Sequence, residues 1–423
     1  MTKEIQQETI RGIALRAKAL GGRAMLVGGC VRDALTGRGS ADIDCEVYGL
    51  APQALRSLAA EFGEVDESGA RYGIFSLKGA GIDLAVPRLE RRTGPKHGDF
   101  DVRLDPALPF ARAAARRDFT VNAILQDALT GEIVDPFGGQ DDLRRGVLRA
   151  VPGDGFAEDP LRVLRGAQFA ARFRLSPDAK TLEKMRTMRT DALSPARVLG
   201  EMKKAMASDA PDVFFDVLRR ADALRTWFGE LAALIGVPQP PRYHPEGDAY
   251  THSMRVLHAA AQKKARALRP EAFVFAALTH DLGKAVSTAR GEDGEWHACG
   301  HENTGVPLTR AMLGRLGVNR EIIAYCENMC RLHMRAHVCH YRQAETGETN
   351  LLFDESVCPN DLALLAVCDT LGKGSASGGA DGEAAFLTGR VRVYEETAAR
   401  GLPDGGMLLA AGMEPGPQLA EAL

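Results

Sequence analysis

Residues 25–46 read MLVGGCVRDALTGRGSADIDCE. The apolar run Met25-Leu26-Val27 predicts a buried strand. Gly28 and Gly29 follow and can bring backbone N–H groups close to a ligand; Val31 to Leu35 then predicts a short helix closed by Gly37. At such a turn the unpaired N–H groups and the helix dipole point the same way, which makes a phosphate site. Arg32 adds a positive fork for phosphate oxygens. Asp42-Ile43-Asp44 comes next, on a second predicted strand. Alternate side chains of a strand share a face, so Asp42, Asp44 and Glu46 point one way while Ile43, Cys45 and Val47 point to the core. Carboxylates this close repel unless a cation sits between them. Hard oxygen ligands together with substrate phosphates suit magnesium. Asp83, in the apolar run from Gly81 to Val86, is a third candidate.

Working outward, 423 residues are too many for one core and imply about two to four domains. A hydrophobic fraction of 45% and a charged fraction of 26% describe an ordinary soluble chain. No apolar run approaches a membrane span, and the first twenty residues lack the apolar region of a signal peptide, which points to the cytoplasm. They predict an amphipathic helix with Ile10, Ile13, Ala14, Ala17 and Leu20 facing the core. With a net charge of −3, any RNA contact must come from local clusters such as Arg116-Arg117 or Arg144-Arg145. The eight cysteines form no C-x-x-C; Cys326, Cys330 and His333 share a helical face and read as core thiols of a reducing compartment.

Two further stretches carry chemistry. Arg116 to Ala123, RRDFTVNA, predicts a helix entered near Asp118 with arginines placed to hold triphosphate or ribose. Phe156 to Arg165, FAEDPLRVLR, predicts a helix capped by Asp159, with Pro160 at its first position and Asp159, Arg162 and Arg165 on one face. Cytosine offers an N4 donor beside an N3 acceptor, and adenine an N6 donor beside an N1 acceptor. A carboxylate next to a guanidinium complements both. Uracil and guanine present the reverse order and leave like groups facing each other. An Asp159/Arg162 pair thus admits C and A and rejects U and G without a template.

A lone glycine pair, D-x-D or R-R-D is an ordinary turn, edge strand or charge cluster. Together, G-G-x-V-R-D, D-x-D, R-R-D-x-T-x-N-A, the D-P-F-G-G turn at Asp135 to Gly139 and E-D-x-x-R resemble the nucleotidyltransferase superfamily, in the class of bacterial CCA-adding enzymes and poly(A) polymerases. The resemblance implies an α+β chain: a small mixed-sheet head, then an all-helical neck. It implies tRNA 3′ ends, CTP and ATP as partners and Mg2+ in the head. Asp42, Asp44 and Asp83 are the catalytic candidates; Gly28, Gly29, Arg32, Arg116, Arg117, Asp159, Arg162 and Arg165 bind the nucleotide. A loop near Arg88 to Phe100 is implied to help switch between CTP and ATP. A neck helix opening at Ser194-Pro195 is a plausible RNA contact.

Gly236 to Pro245, proline-rich, reads as the clearest boundary. Beyond it stand His252, His280-Asp281, His301, His333 and Asp369. Histidine with carboxylate suits a divalent transition metal such as Ni2+, Mn2+ or Zn2+. The pattern resembles the HD phosphohydrolase superfamily, whose ligands map to His252, His280, Asp281 and Asp369 and whose site activates water against a phosphoester. The domains read as 1–145 (head), 146–236 (neck), 237–400 (helical HD domain) and 401–423 (tail). Gly372 to Gly382 reads as a linker before a helix from Glu383 to Ala399, and Gly412 to Pro417 resembles a helix-turn-helix of the family. The expected function is template-independent addition of C, C and A to tRNA, with an RNA-end phosphatase or 2′,3′-cyclic phosphodiesterase in the HD domain, in a monomer or homodimer. A poly(A) polymerase or A-adding enzyme, an RNA-end phosphohydrolase whose head only binds RNA, and an RNA-binding scaffold remain as alternatives.

Overall fold

The computed structural model describes residues 2–39, 42–92, 100–374 and 379–400, with Leu409, Gly412 and Gly416. They divide into two compact units: Met1–Ala205 with Val213–Thr226, and Met206–Asp212 with Trp227–Leu423.

The first unit opens with a helix, Lys3–Ala19, whose Ile10, Ile13, Ala14 and Ala17 are buried. Leu20 departs from the expected stripe: it is the helix C-cap and 44% exposed, because the chain turns away at Gly21. Then come β1 (Arg23–Val27), a helix at Gly29–Leu35, β2 (Ile43–Tyr48) and a helix at Pro52–Ala60. β3 (Val65–Asp66), β4 (Ile74–Leu77), β5 (Ile82–Ala85), the hairpin of β6 (Arg88–Arg92) and β7 (Phe100–Leu104), β8 (Leu125–Asp127) and β9 (Ile133–Val134) follow. Seven strands form a mixed sheet in the order β3-β4-β5-β2-β1-β8-β9, as expected for the head. Only β2 and β5 run parallel; their other neighbours are antiparallel.

The sheet is apolar on both faces. Cys45, Val47, Ile82 and Leu84 pack under the Lys3–Ala19 and Pro52–Ala60 helices. Met25, Val27, Tyr48 and Leu125 pack against Leu108, Ala113, Ala114 and Ala123. β2 alternates as read, so Asp44 and Glu46 lie on the second face. The helix expected from Asp118 is only one 3-10 turn, Thr120–Asn122. The Asp118 side chain takes the Phe119 N–H and the Asn122 amide, and Thr120 donates to Asp142; these local bonds draw the backbone out of an α-helix. Helices at Leu161–Phe173, Ala179–Arg186, Pro195–Met206 and Asp212–Arg220 follow, as expected of the neck.

The second unit is helical: Ala249–Lys263, Pro270–Thr279, His301–Leu316, Arg320–Arg342, Thr346–Glu355, Pro359–Gly372 and Ala380–Arg400. Asp248 caps the first through the Thr251 N–H, and Pro270 and Pro359 occupy first-turn positions, where the missing N–H costs nothing. The proline-rich stretch at Gly236 to Pro245 belongs to this unit. Gln239 is buried and accepts from Lys284 Nζ at 2.8 Å. Residues 93–99 of the loop expected to switch nucleotides, 375–378 of the expected linker and nearly all of the 401–423 tail, with the expected helix-turn-helix, lie outside the described residues.

Candidate active sites

In the first unit β2 and β5 set carboxylates side by side. Asp44 and Asp83 are register partners on the parallel pair, and Asp42 stands just before β2. Gly28 ends β1 with φ 73° and ψ −129°, a conformation only glycine adopts readily. A Cβ there would sit 2.7 Å from Arg117 Nη1 and 3.7 Å from Asp44 Oδ2, so the turn, the arginine and the aspartate close on one small space. Burial raises the Asp44 carboxyl, as do Asp83, Asp42 and Glu46, while Arg117 opposes them. A cation would relieve that crowding, so the residues present fit one.

Glu46 is not a fourth open carboxylate. It is buried and accepts from Arg116 at 2.7 Å, Arg117 at 3.2 Å and the Tyr48 hydroxyl at 2.9 Å. Burial pushes its carboxyl up, but the two guanidiniums outweigh this and hold it at about 2. Arg116 and Arg117 are thereby fixed beside Asp44. Arg144 pairs with exposed Asp141, three residues earlier on the same short helix.

Arg32 is buried, with Nη1 on Asn122 Oδ1 at 2.5 Å, Nε and Nη2 on Asp33 Oδ1, and Phe173 stacked 4.0 Å from its guanidinium carbon. These contacts use three of its five N–H donors and one flat face, and they stiffen the glycine turn. Asn122 links it to Asp118, and Asp118 accepts from Arg165 Nε at 2.7 Å. The R-R-D-x-T-x-N-A stretch thus wires the turn to the Leu161–Phe173 helix. Arg165 gives its Nε to this wiring, and its guanidinium carbon lies 5.1 Å from the Phe169 ring.

Asp159 and Arg162 open that helix. Asp159 Oδ1 accepts the Leu161 N–H, as a cap should, although the helix begins only at Leu161. Its Oδ2 takes Arg197 Nη2 at 2.8 Å. Arg162 donates to the carbonyls of Gly155 and Arg116, 2.6 Å each. The carboxylate and guanidinium share one end of the helix without bonding through their side chains. The sequence reading missed Arg197, which carries no motif of its own, and the scaffold role of Asp118 and Asn122.

The second unit gathers the four expected HD residues. His252 Nε2 stands 2.8 Å from Asp369 Oδ1 and 3.5 Å from Asp281 Oδ2; His280 Nε2 stands 3.2 Å from the same Asp281 oxygen. Nε2 of His252, Nε2 of His280 and Oδ1 of Asp369 are buried and have no hydrogen-bond partner among the described residues. Dry acceptor atoms aimed at one point fit a divalent cation. Burial would push both aspartates up. For Asp281 the charges of His280 and Lys284 outweigh it, and for Asp369 those of Lys373 and His337, so both stay well below the usual range.

The cluster extends past the four. Glu246 accepts from Nδ1 of His252 at 2.7 Å, fixing that ring. His337 bridges Asp369 and Glu383 at 2.6 and 2.7 Å; burial lowers its pKa, but the two carboxylates raise it to about 9. His301 and His333 lie against the other Asp281 oxygen. His337 was legible as the residue one turn beyond His333; Glu246 and Glu383 carried no pattern. Cys326 and Cys330 are buried free thiols, as expected, and burial pushes Cys330 up to about 12. A cavity of about 490 Å3, lined by Lys284, Lys373, Trp296, Tyr243, His301 and Asp369, leads to this centre. No described helix is long and apolar enough to cross a membrane.

Fold and sites together define a nucleotidyltransferase with an HD domain. The poly A polymerase head domain family matches residues 24–149 and the HD domain family residues 249–371. A multifunctional CCA protein of Nitrosococcus oceani is 41% identical over 74% of each chain, and one of Xanthomonas campestris pv. campestris is 37% identical over 94% of this chain and 95% of its own. A Thermotoga maritima CCA-adding enzyme complexed with tRNA shares the fold, with a TM-score of 0.61 at 17% identity, over 100% of this chain and 90% of that one. The chain belongs to the multifunctional CCA protein family.

Proposed function

We infer that this enzyme adds C, C and A to the 3′ end of tRNA from CTP and ATP, without a template. The observation that carries the reading is the register of Asp44 beside Asp83, with Asp42 adjacent, under the Gly28 turn and Arg117. Asp42 and Asp44 would hold Mg2+, with Asp83 orienting the attacking 3′-hydroxyl. Bound magnesium supplies charge neutralisation on the triphosphate. Arg117, with Arg116 behind it, binds phosphate oxygens; Gly28 and Gly29 let the backbone approach them. The 3′-oxygen attacks the α-phosphorus and pyrophosphate leaves.

Asp159 and Arg162 read the base edge. Arg197 holds the carboxylate in place before a nucleotide arrives. The test is single-nucleotide incorporation by wild type and Asp159→Ala. The variant should lose its preference for C and A over U and G by about tenfold or more, an unpaired polar group costing roughly 1–3 kcal/mol. Unchanged fidelity would remove Asp159 from base reading.

The HD residues His252, His280, Asp281 and Asp369 would hold a transition-metal cation, supplying water activation for phosphoester hydrolysis at RNA ends. Lys284 and Lys373 give the cavity the positive charge a phosphoester needs. All described cysteines are free, which agrees with a cytoplasmic setting.

A further inference from the structure

The cavity at the HD centre has two kinds of wall. Lys284, Lys373 and Asp369 supply charge, and Trp296, Tyr243 and Pro240 supply flat apolar surface. At about 490 Å3 it is far larger than a phosphate group needs, and it falls within the ~300–1,000 Å3 of sites that enclose whole small molecules. The charged wall accounts for a phosphoester and leaves the aromatic wall without a role.

Trp296 is one of two tryptophans in the chain. It stands on a short hairpin, Ala289–Arg290 paired with Trp296–His297. Residues 292–295 and His297 are exposed, while the indole is half-buried against the cavity. Among the described residues it stacks on no other ring. The hairpin is closed tightly: the Gly291 N–H donates to the Glu295 carbonyl, Arg290 Nε donates to the Gly294 carbonyl, and His297 bonds Asp293, each at 2.8 Å. Both aromatics are tied to the histidine–aspartate cluster. Two residues past Trp296, the Ala298 carbonyl accepts from Nδ1 of His301 at 2.7 Å. Next to Tyr243, His244 shares one oxygen of Glu246 with His252, at 2.8 and 2.7 Å. The flat surface is thereby held at a set distance from the cluster, as a base is held at a set distance from its own ribose phosphate.

We propose that Trp296, with Tyr243 beside the same cavity, stacks the base of the ribonucleotide whose phosphoester enters the HD site. Every base has a π face, so the stack reads the presence of a base and not its identity. The site therefore prefers a nucleoside phosphoester over one that lacks a base. The inference rests on the reading of this centre as a phosphoester site.

Three substrates test it: adenosine 2′,3′-cyclic phosphate, the base-free 1-O-methylribose 2,3-cyclic phosphate, and tRNA ending in a 2′,3′-cyclic phosphate. Trp296→Ala should raise KM for the nucleotide about tenfold or more, the worth of one base–aromatic stack, with kcat within about twofold. Trp296→Phe should keep most of the affinity. The base-free ester should be poor for wild type and indifferent to Trp296→Ala, which also shows that the variant is folded. The tRNA should lose as much as the nucleotide. An unchanged KM for the nucleotide, or an equal loss with the base-free ester, would overturn the stack and leave the phosphoester site standing. A loss confined to tRNA would place another base on the indole and overturn the assignment. Binding can be read without hydrolysis. In Trp227→Phe, stripped with chelator, Trp296 is the only tryptophan, and adenosine 2′-phosphate should quench its fluorescence. Quenching in a protein that hydrolyses none of the three esters would uphold the stack and remove the phosphoesterase reading; an unquenched indole in a protein that hydrolyses them would overturn the stack.

Discussion

At the residue scale, the arrangement of the head rests on a few paired charges. Glu46 shares the β2 face of Asp44, yet it works by fixing two arginines, because it is buried between them. Asp127 does similar work at the far side of β1. It accepts from the Leu129 and Thr130 N–H groups at 2.9 Å and from Arg23 Nε at 2.7 Å. Burial pushes its carboxyl up, but the backbone donors and the guanidinium outweigh this and lower it to about 2. A depressed folded pKa contributes stability above the unfolded value, near 4, that is lost as pH falls towards 2. Arg23 is 40% exposed, so solvent screening keeps the worth of the site to about 1–2 kcal/mol. Asp127→Asn should therefore unfold at lower urea than wild type at pH 6, with the gap closing by pH 2. A gap that does not change with pH would mean that the charge is not what matters.

At the element scale, the glycine turn is the part with least freedom. Gly28→Ala places a methyl group at a positive φ and against Arg117. It should cost about 1–3 kcal/mol of stability and weaken CTP binding about tenfold or more by calorimetry. Normal affinity in a folded variant would show that the turn does not position Arg117. Much of this level was legible beforehand. The strand, turn and helix of residues 25–46 and the alternation of β2 follow from periodicity and from glycine's freedom. What was not legible is long-range: Arg32 appeared free in sequence because its partners, Asn122 and Phe173, come from distant elements. The R-R-D helix failed for a related reason, since Asp118, Thr120 and Asn122 satisfy each other and distant side chains instead of a helix ladder. In the second unit the four HD residues could be found by pattern, but Glu246 and Glu383 could not, because a carboxylate that steadies a histidine has no fixed spacing from it.

At the scale of the whole molecule, each site draws its side chains from one unit: Gly28 to Arg197 in the first, Gln239 to Glu383 in the second. Chemistry at the two should be separable. His280→Ala should abolish phosphoester hydrolysis, read with a 2′,3′-cyclic nucleotide, and leave nucleotide addition within about twofold. Asp44→Ala should do the reverse. Loss of both activities in either folded variant would mean that the sites are coupled. Central to the account is that carboxylates on adjacent strands join nucleotides to RNA in a fixed order without a copied strand. Its most direct test is sequencing the products formed from tRNA lacking its last three nucleotides, with CTP and ATP both present. The account predicts C-C-A ends from wild type and unextended tRNA from Asp44→Ala; A-only tails, or extension that survives the loss of Asp44, would contradict it.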